Sequence, residues 1–125
     1  MPTWQLRKIR RDGAKAEKLA LCYLKQQGLR LVAHNFACRQ GEVDLVMLDY
    51  EVLVFIEVRF RASQAFGGAL SSITPAKQQK VRKAAAQFIQ RHKVHALRHC
   101  RFDTITITPN DDSRQNRLEW IKGAF

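Results

Sequence analysis

Gly41-Glu42-Val43-Asp44-Leu45-Val46-Met47-Leu48 and, after Asp49-Tyr50-Glu51, Val52-Leu53-Val54-Phe55-Ile56-Glu57-Val58-Arg59 decide how this chain is read. Residues 42–48 alternate well enough for a strand, and 49–51 read as a turn. Val52 to Ile56 is a continuous apolar run, which suits a central strand covered on both faces. Charge then recurs where core is expected. Side chains alternate along a strand, so Glu42 and Asp44 should share one face and Glu57 and Arg59 one face of the next strand. If the two strands pair about the 49–51 turn, Asp44 and Glu57 come near enough to share a cation.

Two adjacent carboxylates repel unless a proton, a base or a metal offsets their charge. Mg²⁺ is a natural candidate, because it takes oxygen ligands and commonly needs only one or two protein carboxylates plus a substrate phosphate. In that role it would polarise a phosphodiester and acidify an attacking water. Glu17 could add a third carboxylate. A purely structural account is also open: Glu57 pairs with Arg59 or Arg61, and Asp44 bonds backbone amides at a strand end.

Upstream, residues 1–11 are basic and read as a loose N-terminal arm, with residues 12–125 forming one domain. Asp12 is a possible N-cap, followed by an apolar stripe of Ala16, Leu19, Ala20, Tyr23 and Leu24 on a helix ending near Gly28. Leu29 to Phe36 reads as a strand, and Gly41 separates it from the next as a hairpin. Downstream, residues 61–74, with Gly67-Gly68 and Ser71-Ser72, read as a loop. Thr74-Pro75 supplies an N-cap and a first-turn proline. The helix that follows carries Val81, Ala84, Ala85, Phe88 and Ile89 toward the sheet, with Gln78 on the same line. Lys77, Lys80, Arg82 and Lys83 make its first half basic. Phe102 to Thr108 alternates as a strand parallel to the 52–56 strand through a right-handed crossover. Pro109 to Ser113 then turns the chain toward 118–121. The order is α-β-β-β-α-β, with one more strand allowed.

The chain carries 22 Lys and Arg against 11 Asp and Glu, a formal +11. Such a balance attracts polyanions through counterion release. It favours nucleic-acid contact through Arg61, Lys77, Lys80, Arg82 and Lys83, although a solvated basic surface would share it. Three widely spaced cysteines indicate neither a disulfide framework nor a paired zinc site and fit a reducing cytoplasm. No apolar run suits a signal peptide or membrane span, so neither export nor membrane contact is expected. His95 and His99 are four apart with Cys100 next, but a fourth zinc ligand has no suitable spacing. Trp4 and Trp120 could stack on bases, though packing is the commoner role.

At Gly41-Glu42-Val43-Asp44-Leu45 and Val54-Phe55-Ile56-Glu57-Val58-Arg59-Phe60-Arg61, the sequence resembles the YraN family of uncharacterised bacterial proteins. The likeness extends to Gly13–Glu17, Tyr23-Leu24, Lys77-Gln78, Arg101-Phe102-Asp103 and Ala124-Phe125. That family is similar to the restriction-endonuclease-like superfamily and to archaeal Holliday-junction resolvases within it. The resemblance implies an α/β restriction-endonuclease-like core, a mixed sheet flanked by helices, and an acid followed by acid-x-Lys on the next strand. It implies that Asp44 and Glu57, with the Val58 carbonyl, ligate Mg²⁺ or Mn²⁺, and that Glu17 acts through a ligand or water. Gln78 would sit over the site to position water or phosphate. Arg59 stands where the pattern has Lys; a guanidinium is a poor general base but can orient water or steady phosphate charge. Asp103 is equally suited to a local pair with Arg101.

The expected activity is metal-assisted endonucleolytic cleavage of DNA, branched or otherwise structured DNA included. A module that binds nucleic acid without turnover, and a basic adaptor for an acidic protein, are the alternatives. Dimerisation would suit a junction enzyme, by analogy alone.

Overall fold

A computed structural model describes residues 3–60, 73–109 and 116–125, with side chains described for 14–60, 73–108 and 117–125. The elements are α1 (Thr3–Gln26), β1 (Arg30–Cys38), β2 (Gly41–Asp49), β3 (Val52–Phe60), α2 (Pro75–Arg91), a 3₁₀ turn (Lys93–His95), β4 (Cys100–Pro109) and β5 (Asn116–Ile121). The expected order holds, with the additional strand present. The five strands lie in the order β1-β2-β3-β4-β5; β3 and β4 are parallel and every other neighbouring pair is antiparallel. This α/β architecture, a mixed sheet with a helix against each face, agrees with a restriction-endonuclease-like core. No helix of the described residues is long and apolar enough to cross a membrane.

The two faces of the sheet bury different sets. Ala16, Ala20 and Leu24 of α1 pack on Leu45, Met47, Val54, Ile56, Ile105 and Ile107. Val81, Ala84, Ala85 and Phe88 of α2 pack on Val46, Leu48, Leu53 and Phe55 on the opposite face. Each helix thus uses an i, i+4 apolar stripe, as the spacing predicts. Leu19 is the exception on α1: it is 37% exposed, so the stripe is narrower than the sequence suggests. Helix α1 begins at Thr3, well before Asp12, which is therefore not its N-cap; from Thr3 onward the basic N-terminal stretch is part of the helix. At the other end, Gly28 takes φ +98°, a conformation open to glycine, and lets the chain leave the helix for β1. Thr74 caps α2 as expected: its Oγ1 accepts from Lys77 N at 3.2 Å, with Pro75 in the first turn.

Asp103 proves structural. It is fully buried, and its carboxylate accepts from Arg101 Nε (2.8 Å), Arg101 Nη2 (2.9 Å), Trp120 Nε1 (3.0 Å) and Gly123 N (3.0 Å). Arg101 also donates to Asp49 at 3.0 Å. This one residue therefore joins β4 to β5 and to the C-terminal segment, which also donates Ala124 N to Phe102 O at 2.7 Å. Trp120, with its indole N–H committed and its ring edge-on to Tyr23, is a packing residue. Replacing Asp103 by Ala leaves Arg101 partly buried without its main partner and two further donors unmet. We expect a loss of about 3 kcal/mol in urea unfolding, against less than half of that for the exposed Glu51→Ala.

Candidate functional site

The β2–β3 ladder runs from Asp49↔Val52 to Leu45↔Ile56 and ends there. Beyond it, the Asp44 side chain takes over: its Oδ2 accepts from Val58 N at 2.8 Å. On the other side of β2, pairing with β1 passes from His34↔Leu45 to Phe36↔Val43, skipping Asn35 and Asp44. Asn35 there has φ +52°, a left-handed conformation that Asn tolerates better than most residues. The facing of β2 inverts here, while its register with β1 is the same on either side of the skipped pair. Val43 packs with the α2 layer, as do Val46 and Leu48, whereas unbroken alternation would have put it with Leu45 and Met47. Residues 42–48 form a strand as expected, with their alternation broken at Asp44.

Placed there, Asp44 meets carboxylates from both layers. It lies against Glu17 of α1 and Glu57 of β3, close enough to each for a carboxyl–carboxylate hydrogen bond. Glu17 is steadied by Asn35, whose amide, oriented by its contacts, donates to the two oxygens at 3.0 and 3.2 Å. Partial burial, and then the Asp44 charge, push the Glu17 carboxyl above its ordinary range. Glu57 is perturbed much further: burial, followed by the Asp44 charge, pushes it up to about 8 against the opposing pull of Lys77. Only 4% of Glu57 is exposed, and its Oε1 has no hydrogen-bond partner among the described residues. A proton on Glu57, or a cation between the two carboxylates, is what would satisfy that oxygen.

The pair opens into a cavity of about 390 Å³ lined by Asp44, Glu57, Val58, Arg59, Ile73 and Lys77, among others. Lys77 Nζ stands 3.9 Å from Glu57 Oε2, too far for a hydrogen bond. Of the residues singled out in the sequence, Asp44, Glu57, Val58, Arg59 and Lys77 therefore come together, with Glu17 joined through Asp44. Gln78 does not join them: its Nε2 donates to Ile73 O at 2.8 Å, bracing the start of α2. Arg82 also turns away, its guanidinium lying 4.8 Å from the Phe102 ring centroid and 5.6 Å from that of Phe125. Lys80 and Lys83 lie along the exposed side of α2, and Arg61 lies outside the described residues. His95 accepts from Arg98 Nε at 3.1 Å on a short 3₁₀ turn, so it does not share a helix face with His99. Asn35 went unnoticed in the sequence, where an Asn inside a strand gives no sign of its role; the departure from β-propensity was the available signal.

Among the described residues, no three His, Cys, Asp or Glu side chains converge as they would around a dedicated ion cage. The arrangement is a carboxylate pair, which suits Mg²⁺ with water and substrate oxygens completing its shell. The orphaned Glu57 Oε1 and the oxygen-only donor set fit that ion. They do not fit a thiolate- or imidazole-bound one.

Glu57 makes metal-free stability depend on pH. Its folded pKa lies above the ordinary 4.5, so the stability it confers in protonated form is lost as pH rises from about 4.5 to about 8. Each unit is worth roughly 1.4 kcal/mol, so the full change is on the order of a few kcal/mol. Glu57→Gln, measured by urea unfolding in EDTA, should gain on the wild type as pH climbs through this window. Equal slopes for the two proteins would show Glu57 to be ionised throughout.

The comparison with known proteins agrees with the resemblance seen in the motifs. Residues 16–107 match the model of the uncharacterised protein family UPF0102. A UPF0102 protein of Alcanivorax borkumensis is 49% identical over 121 residues, covering 96% of this chain and 95% of its own. One from Stutzerimonas stutzeri is 50% identical over 114 residues, covering 91% and 93%. One from Pseudomonas aeruginosa is 46% identical over 116 residues, covering 93% of each. With the match running from the middle of α1 through most of β4, and relatives aligned over nearly their whole length, the chain belongs to the UPF0102 family.

Proposed function

We propose that the protein is a metal-dependent nuclease that hydrolyses phosphodiester bonds in DNA. The observation that carries this reading is the buried Glu57 carboxyl, held against Asp44 with one oxygen unpartnered, at the mouth of a cavity that also presents Arg59 and Lys77. Holding two acids together in a nearly dry place is unfavourable for the fold alone. Asp44 and Glu57, with the Val58 carbonyl, would hold Mg²⁺ or Mn²⁺, and the ion would polarise the phosphodiester and acidify a water. Val58 N–H fixes the Asp44 carboxylate, and Asn35 fixes Glu17 behind it. Lys77 and Arg59 attract the substrate phosphate and counter the charge that builds as the bond breaks. Lys77 thereby brings an ammonium group to the site although residue 59 is Arg.

A second reading, binding without turnover, is supported by Arg59 itself, since a guanidinium stays protonated and cannot act as a base. The two separate cleanly. Calorimetry should detect Mg²⁺ or Mn²⁺ binding with a non-cleavable DNA analogue present, accompanied by proton release from Glu57 at pH 7, and lost in Asp44→Asn, Glu57→Gln. Metal-dependent cutting of linear, flapped, branched or single-stranded DNA that vanishes in the same variant supports the nuclease. Salt-sensitive binding that is indifferent to metal and to the variant supports the module.

A further inference from the structure

The basic residues of α2 do not all face one way, and the difference defines a path. Lys77, Lys80 and Lys83 recur at every third residue, each about 4.5 Å further along the helix and about 60° further round it. Opposite them lies the β1–β2 turn, Arg39-Gln40, pressed onto the helix by a close backbone approach. A Cβ added at Gly41 would come within 2.5 Å of Lys80 O and 3.0 Å of its carbonyl carbon. Glycine is therefore required there for proximity. Two shallow concavities follow from this contact. One of about 390 Å³ is lined by Arg39, Gln40, Glu42, Lys77 and Lys80, among others. The next, of about 310 Å³, lies between Gln40, Lys83, Ala86 and Gln87. Lys77 belongs both to the first of these and to the carboxylate cavity.

Several cations elsewhere on the molecule are engaged by the fold itself. Arg98 and Arg101 are held in ion pairs, and Arg82, Arg91 and Lys122 lie over aromatic rings. Among the described residues no carboxylate pairs with Arg39, Lys80 or Lys83, all of which are exposed.

We infer that the groove between the first half of α2 and the β1–β2 turn is a track for the phosphodiester backbone of one nucleic-acid strand leaving the carboxylate cavity. Lys77 stands at the junction, Lys80 and Lys83 contact successive phosphates, Arg39 faces them from the turn, and Gln40 supplies a neutral hydrogen-bonding group to both concavities. The inference rests on the cavity being a phosphodiester site, and it assigns the direction in which the substrate runs.

Its test is made without divalent metal, so that it stands apart from cleavage. Fluorescence anisotropy in EDTA, over a salt series, would compare the wild type with Lys80→Ala, Lys83→Ala and with Arg39→Ala. The control is Lys18→Ala, Lys25→Ala, which removes the same charge from exposed positions on α1. A single-stranded oligonucleotide and a duplex form the two arms and distinguish the sources of the strand. The groove double variant should lose about tenfold in affinity and lower the salt slope by about 1.5 in at least one arm, with a smaller loss for Arg39→Ala and little for the control. Equal losses in the groove and control variants, or no loss in either arm, would overturn the track. If groove variants lose affinity while the wild type never cleaves with any metal, the track stands and the nuclease reading falls.

Discussion

The interruption of the sheet at Asp44 is the constraint on which the site depends. Backbone pairing with β3 ends just before this residue, pairing with β1 skips it, and its carboxylate replaces a ladder acceptor by taking the Val58 N–H. A strand residue normally belongs to one face; one at a break can lie between faces. Asp44 is thus the point where Glu17 from the α1 layer and Glu57 from the β3 strand meet. The left-handed Asn35 opposite it completes the irregularity and gives Glu17 its donor.

Around this break the rest of the molecule is conventional and well satisfied. Two apolar clusters, one per face, hold the helices to the sheet. A column of rings, Phe55 on Phe102 and Phe102 on Phe125, joins the α2 face to the chain end and is covered by Arg82. Asp103 shows what a buried acid looks like when it serves the fold: each oxygen meets donors, with none left over. Glu57 is its opposite, equally withdrawn from water yet left with a bare oxygen and a neighbouring acid. That contrast within one small protein, more than the mere presence of acids, separates the site from the scaffold.

Charge follows the same division. A net +11 describes the chain but not its surface, because several cations are used internally. Arg101 is bound to Asp103 and Asp49, Arg98 to Glu51, and Arg82 to two rings. What remains beside the cavity is narrower and more directional than composition implies.

The sequence by itself determined the element order, the parallel β3–α2–β4 crossover, the N-cap at Thr74 and the proximity of Asp44 to Glu57. Each rests on local rules, periodicity, turn chemistry and a two-stranded register about a short turn, that act over a few residues. Only the tertiary structure decided where α1 begins, that Leu19 stays out of the core, and that Val43 faces α2. It also decided that Lys77 enters the cavity while Gln78 and Arg82 do not, and that Gly41 is needed for close approach to α2. These depend on how layers meet: one residue's step on a helix turns a side chain by about 100°, and which residue lands on the cavity is fixed by packing between elements distant in sequence.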